Sequence, residues 1–157
     1  MILVEQPGSP VVSLRVMIRT GSADEMSRSE YGLAHLMEHM AFKGSDRYPD
    51  PGTISYVVER NGGDMNAYTS SDSTVYYLNM PSDQAVLGLD ILSELVFHPI
   101  YDPNEYKLEK EVVIEEIKRG RDNPDRLLME SFFNAAYPNH PYGRPVLGYE
   151  ATVRNVT

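Results

Sequence analysis

Two histidines four residues apart, with a glutamate beside the second, constrain this chain more than any other feature: His35-Leu36-Met37-Glu38-His39. Leu33, Leu36, Met37 and Met40 form an apolar stripe at helical spacing through the same stretch. The segment is therefore predicted to be a helix, with Ser29 as a possible cap, an end near Lys43 and Gly44 closing it. Residues four apart on a helix share a face, with Cβ atoms roughly 5–6 Å apart. Two imidazoles placed this way can bind one zinc ion at about 2.0–2.1 Å each. Glu38, one residue before His39 and three after His35, reaches the edge of such a site without being forced to bind the metal. That is the place for a general base acting on a water molecule. The chain has only four histidines, so a chance HxxEH match is improbable.

Composition narrows the remaining possibilities. There is no cysteine, which excludes disulfides and thiolate metal sites, the ligands that structural zinc favours. The 157 residues are enough for one domain with its own core. A net charge of −9 argues against a nucleic-acid partner and an anionic membrane surface. No apolar run approaches the roughly 20 residues of a membrane helix, and no signal peptide is visible at Met1. The chain reads as cytoplasmic; a periplasmic or organellar location is the alternative if a targeting segment has been trimmed.

The order of elements points to an α+β fold. Residues 1–5 and 11–19 read as strands around a Pro/Gly turn, and residues 64–68 and 74–80 as two more joined by Ser70-Ser71-Asp72-Ser73. Helices are expected from Asp50-Pro51 to Gly62, from Ser82 to about Phe97, from Asp102-Pro103 to about Arg119 and from Asn123-Pro124 to about Tyr137. Such an order suggests a mostly antiparallel sheet with helices packed on one face. Asn155-Val156-Thr157 reads as the approach to another helix.

A metal site needs a third ligand. The helix after Pro103 carries Glu105, Glu109, Glu111, Glu115 and Glu116, which taken alone make a solvated acidic face. Glu109 and Glu116, however, lie seven apart, on one face, with Val112 and Val113 between them on that side. A carboxylate among apolar neighbours is costly to bury unpaired, and a metal would offset the cost. Other residues carry less. His98 is expected to cap the preceding helix, His140 to lie in an exposed loop, and Met37 and Met40 to belong to the core.

These motifs together resemble a known family. His35-Leu36-Met37-Glu38-His39 is similar to the inverted zinc motif of the pitrilysin, insulinase and mitochondrial processing peptidase family, the inverzincins. Gly62-Gly63-Asp64-Met65-Asn66-Ala67-Tyr68-Thr69-Ser70 resembles its substrate-pairing strand, and Pro141-Tyr142-Gly143-Arg144-Pro145-Val146-Leu147-Gly148 a loop that follows its ligand helix. The resemblance covers nearly the whole chain and implies a pitrilysin-like α/β roll. It implies one zinc ion on His35, His39 and Glu116, with Glu115 the adjacent competitor whose side chain points about 100° away. It also implies Glu38 as catalytic base, Glu109 in a supporting role, and an extended peptide held along Asn66, Ala67, Tyr68 and Thr69.

The implied activity is zinc-dependent hydrolysis of peptide bonds in peptides or unfolded proteins. Family members contain two similar halves that close around the substrate. Residues 1–157 are therefore expected to be the zinc-binding N-terminal domain, truncated at both ends and lacking the C-terminal half. That second half would lie on the same chain or on a partner subunit. Some relatives are non-catalytic scaffold or partner subunits that have lost metal residues; here His35, Glu38, His39 and Glu116 are all present. An inactive isolated half-site is the other alternative.

Overall fold

A computed structural model describes residues 1–156. Three strands, β1 (Val11–Ile18), β2 (Asp64–Thr69) and β3 (Thr74–Pro81), form an antiparallel sheet in the order β1-β3-β2. Leu14 stands opposite Leu78, and Ala67 opposite Tyr76. β1 is half-buried in strict alternation, as its VVSLRVMI sequence requires. β3 is central, with Val75, Tyr76, Leu78 and Met80 buried.

Among the described residues, six helices accompany the sheet: α1 (Leu33–Ala41), α2 (Thr53–Arg60), α3 (Ala85–Phe97), α4 (Pro103–Arg121), α5 (Pro124–Ala136) and α6 (Glu150–Asn155). α2 and α3 cover the sheet, burying Ile54, Val58, Ile91, Leu92 and Leu95 against Leu78 and Met80. α3 comes close enough that a Cβ on Gly88 would meet Leu14 Cδ1 at 2.6 Å. A second cluster joins α1 to α4 and α6 through Leu36, Val113, Ile114, Ile117, Val153 and Val156. α1 is thus held between two apolar clusters, with Ala41 in the first and Leu36 in the second. Each fully buried aliphatic side chain stabilises that arrangement by about 1.5–3 kcal/mol.

The α+β class and the antiparallel sheet agree with the sequence, and several boundaries do not. Residues 1–5 are exposed and form no strand. α1 begins at Leu33 rather than after Ser29, because Gly32 sits in the left-handed region at φ 95° and breaks the chain's path from the 3-10 turn Arg28–Glu30. α2 likewise waits for Thr53, after left-handed Gly52. On α4, Val113 is buried, but Val112 is 49% exposed and lies on the solvent edge of the stripe. No helix among the described residues is long and apolar enough to cross a membrane.

Candidate metal centre

α1 and α4 pack through Leu36, Val113 and Ile114, and this contact brings their polar faces together. His35 and His39 follow one another on α1, with ring centroids 4.6 Å apart. From α4, Glu116 turns its Oε2 toward both, 3.8 Å from His35 Nε2 and 3.7 Å from His39 Nε2. One ligand atom from each of the three residues lies within 4.8 Å of the others. The Glu116 side chain is 42% exposed, so this corner opens to solvent. Glu115, the adjacent competitor, points outward and pairs with Lys118 at 2.7 Å.

The other nitrogens differ. His39 Nδ1 lies 3.0 Å from Glu109 Oε2. A carboxylate there accepts a hydrogen bond from the Nδ1 N–H, which keeps the proton on Nδ1 and leaves the Nε2 lone pair facing Glu116. Glu109 is buried despite its charge, and Lys43 contacts its other oxygen. His35 Nδ1 is buried with no hydrogen-bond partner among the described residues. Burial, then the neighbouring His39 and Arg126, pushes the His35 pKa down to about 4, so the ring is neutral near pH 7. Two imidazoles and a carboxylate around an open corner are a donor set that suits zinc.

Glu38 is buried on the same helix. Burial raises its pKa, while the Thr69 hydroxyl, which donates to Glu38 Oε2, works in the opposite direction. Thr69 Oγ1 also lies 3.4 Å from Thr74 Oγ1, which donates to the Thr20 carbonyl at 3.0 Å. The hydroxyl is therefore directed inward.

Asn66, Ala67, Tyr68 and Thr69 lie on β2, an edge of the three-stranded sheet beside α1. Asn66 and Tyr68 are exposed, and the Ala67 amide donates to Asn66 Oδ1 at 2.8 Å. A cavity of about 500 Å³ is lined by Glu38, His39 and Glu109 on one side and by Asp64, Met65 and Asn66 of β2. His98, expected as a cap, ends α3 and lies 3.7 Å from Asp46; His140 is exposed.

Sequence reading did not single out Glu25, the inward turn of Thr69, or Lys43 beside Glu109. Glu25 has no periodic signal, because it acts across a loop on residues seven and nine positions later. The family resemblance gives Thr69 a substrate contact alone, and a strand pattern does not say what a side chain on its inner face meets.

A small antiparallel sheet backed by helices, with a helix-borne histidine pair and a facing carboxylate, defines a metallopeptidase domain of the inverted-motif class. The chain belongs to the insulinase family (peptidase family M16), whose profile matches residues 1–150. It is 39% identical over 152 residues to an uncharacterized zinc protease of Bacillus subtilis, covering 97% of this chain and 37% of that protein. It is 28% identical over 156 residues to the mitochondrial-processing peptidase subunit beta of Dictyostelium discoideum, covering 99% and 33%. Among solved structures, a protease from Helicobacter pylori matches with a TM-score of 0.88 at 30% identity, covering 95% of this chain and 36% of that one. The chain spans about a third of the length of the curated relatives it matches.

Proposed function

We propose that this chain is the zinc-binding domain of an endopeptidase that hydrolyses peptide bonds in extended peptides or unfolded proteins. One observation carries the reading: His35, His39 and Glu116, from two separate helices, offer ligand atoms within 4.8 Å of one another. A zinc ion held by these three would supply a Lewis acid that acidifies water and polarises the scissile carbonyl.

The chain's own residues do the rest. Glu38 receives the proton of the attacking water on its carboxylate and later delivers it to the leaving amine. Burial raises its proton affinity toward what such a shuttle needs. Glu109 holds the His39 ring in register. The open edge of β2 at Asn66, Ala67, Tyr68 and Thr69 pairs with substrate backbone, which gives affinity with little sequence preference. A second peptidase half, on the same chain or a partner subunit, completes the substrate cleft.

The intact four-residue set favours an enzyme over a scaffold subunit. In the full-length protein, Glu38→Gln should retain zinc at one equivalent and abolish cleavage of an unstructured peptide. Normal turnover by that variant would overturn the assignment. A parent protein that binds no stoichiometric zinc would favour the scaffold.

A further inference from the structure

The two histidines are fixed in different ways. His39 has a carboxylate on its Nδ1, whereas the Nδ1 of His35 has no partner among the described residues. No hydrogen bond at Nδ1 therefore orients the His35 ring, and its place depends on the helix backbone and on packing around a buried side chain. His35 is the third residue of α1, a helix of nine residues whose N-cap is a glycine with no side chain to satisfy the first turn.

Those first-turn groups are taken by a residue from outside the helix. Both carboxylate oxygens of Glu25 accept from the Gly32 amide at 3.1 Å, and Oε1 also accepts from the Ala34 amide at 3.0 Å. Glu25 is buried, and its negative charge faces the positive end of the α1 dipole. Its loop is anchored from two directions. Ser22 and Ala23 donate to the carbonyls of Ser70 and Ser71, in the turn between β2 and β3, at 3.1 and 2.8 Å. Arg144 donates to the carbonyls of Ser22 at 2.8 Å and Glu25 at 3.2 Å, with its guanidinium 4.1 Å from the centre of the Tyr31 ring. Gly32 has no room for a side chain, since a Cβ there would meet the Leu147 carbonyl oxygen at 2.5 Å. The start of α1 is thus clamped between the Glu25 loop and the segment around Arg144 and Leu147.

We propose that Glu25, braced by Arg144, is a positioning residue for the metal centre: it pins the first turn of α1 and so sets His35, as Glu109 sets His39. The inference rests on the metal centre proposed above. It gives a joint role to Gly21–Glu25 and Tyr31-Gly32 and, far along the chain, to Arg144-Pro145-Val146-Leu147.

The test uses the full-length protein with Glu25→Ala, Glu25→Gln and, as a control, Leu92→Ala in the sheet cluster. Zinc affinity is read by chelator competition, stability by urea unfolding, and kcat and KM on an unstructured peptide. Glu25→Ala should weaken zinc binding by about tenfold or more, the range for partners that orient metal ligands. It should lower kcat with KM within twofold. Glu25→Gln, which keeps one acceptor oxygen, should recover part of the loss. Leu92→Ala should lose stability while keeping the parent's zinc affinity. Parent-like zinc affinity in a folded Glu25→Ala overturns the inference; should that variant not fold, parent-like affinity in Glu25→Gln does so. A parent that itself binds no zinc fails the metal-centre reading first, and this inference falls with it.

Discussion

His39 Nδ1 lies 3.0 Å from the carboxylate of Glu109, a residue seventy positions further along the chain. The pair spans the α1–α4 contact and selects which nitrogen of His39 faces Glu116. Removing the acceptor frees the ring to rotate or to adopt the other tautomer. Glu109→Ala should therefore weaken zinc binding by about 10–100-fold while leaving the three ligands in place. Isothermal titration of the zinc-free protein reads this directly, and an unchanged affinity would remove Glu109 from the metal centre.

Thr69 tests a different link, from strand to base. Its hydroxyl donates to Glu38 Oε2 and is itself held beside Thr74. Thr69→Val preserves shape and strand propensity but deletes the donor. Glu38 then loses its fixed orientation, and kcat should fall by about tenfold, a fraction of what a general base contributes. The backbone of β2 is unaltered, so KM should stay within twofold. A rise in KM with kcat unchanged would instead make Thr69 a substrate contact only.

Leu36 links packing to metal binding. It is fully buried against Val113, Ile114 and Ile117, between the helix that carries the histidines and the one that carries Glu116. Leu36→Ala should cost about 2–5 kcal/mol in urea unfolding of the zinc-free protein. It should also weaken zinc binding, because the two ligand-bearing helices no longer share a tight contact. Leu92→Ala costs a comparable amount in the other cluster and should leave zinc affinity alone. Equal zinc affinities in the two variants would show that the α1–α4 contact does not position the ligands.

Much of this was legible in the sequence, for identifiable reasons. Local spacing carries helix faces, so the pairing of His35 with His39 and of Glu109 with Glu116 could be read from periods of four and seven. A run rich in Val, Ile and Leu located β1, and the polar turn Ser70-Ser71-Asp72-Ser73 located β2 and β3 on either side of it. Left-handed Gly32 and Gly52 were not legible as helix starts, because a glycine in sequence does not state its φ, and Ser29 and Asp50 offered plausible caps nearby. Residues 1–5 have the composition of a strand, yet the described residues give them no neighbouring strand to pair with. Glu25 was hidden for a related reason: its partners are backbone amides, which leave no trace in residue identity. Which carboxylate of α4 faces the histidines came from family resemblance, since periodicity alone left Glu109 and Glu116 on the same face.

Glu94 gives the pH dependence a defined sign. It is a buried residue of α3, and its carboxylate accepts from the Ser45 hydroxyl at 2.8 Å and the Arg47 amide at 3.0 Å. It thereby ties the loop that follows α1 to the helix covering the sheet. The Ser45 hydrogen bond, then the Arg47 amide and the charges of Arg47 and His98, hold the Glu94 pKa below the usual 4.5 against an opposing effect of burial. A carboxyl whose folded pKa is depressed contributes stability that is present above the unfolded value and lost as pH falls through the folded one. The unfolded chain takes up this proton near pH 4.5, while the folded chain resists until lower pH. Stability of the parent should therefore fall more steeply below pH 4.5 than that of Glu94→Gln, which has no proton to gain at this position. Urea midpoints of both proteins, taken from pH 7 down to pH 3, should converge as the pH drops, with the parent ahead only on the neutral side. Parallel curves across the whole range would mean that the Glu94 charge contributes nothing to anchoring the end of the histidine helix.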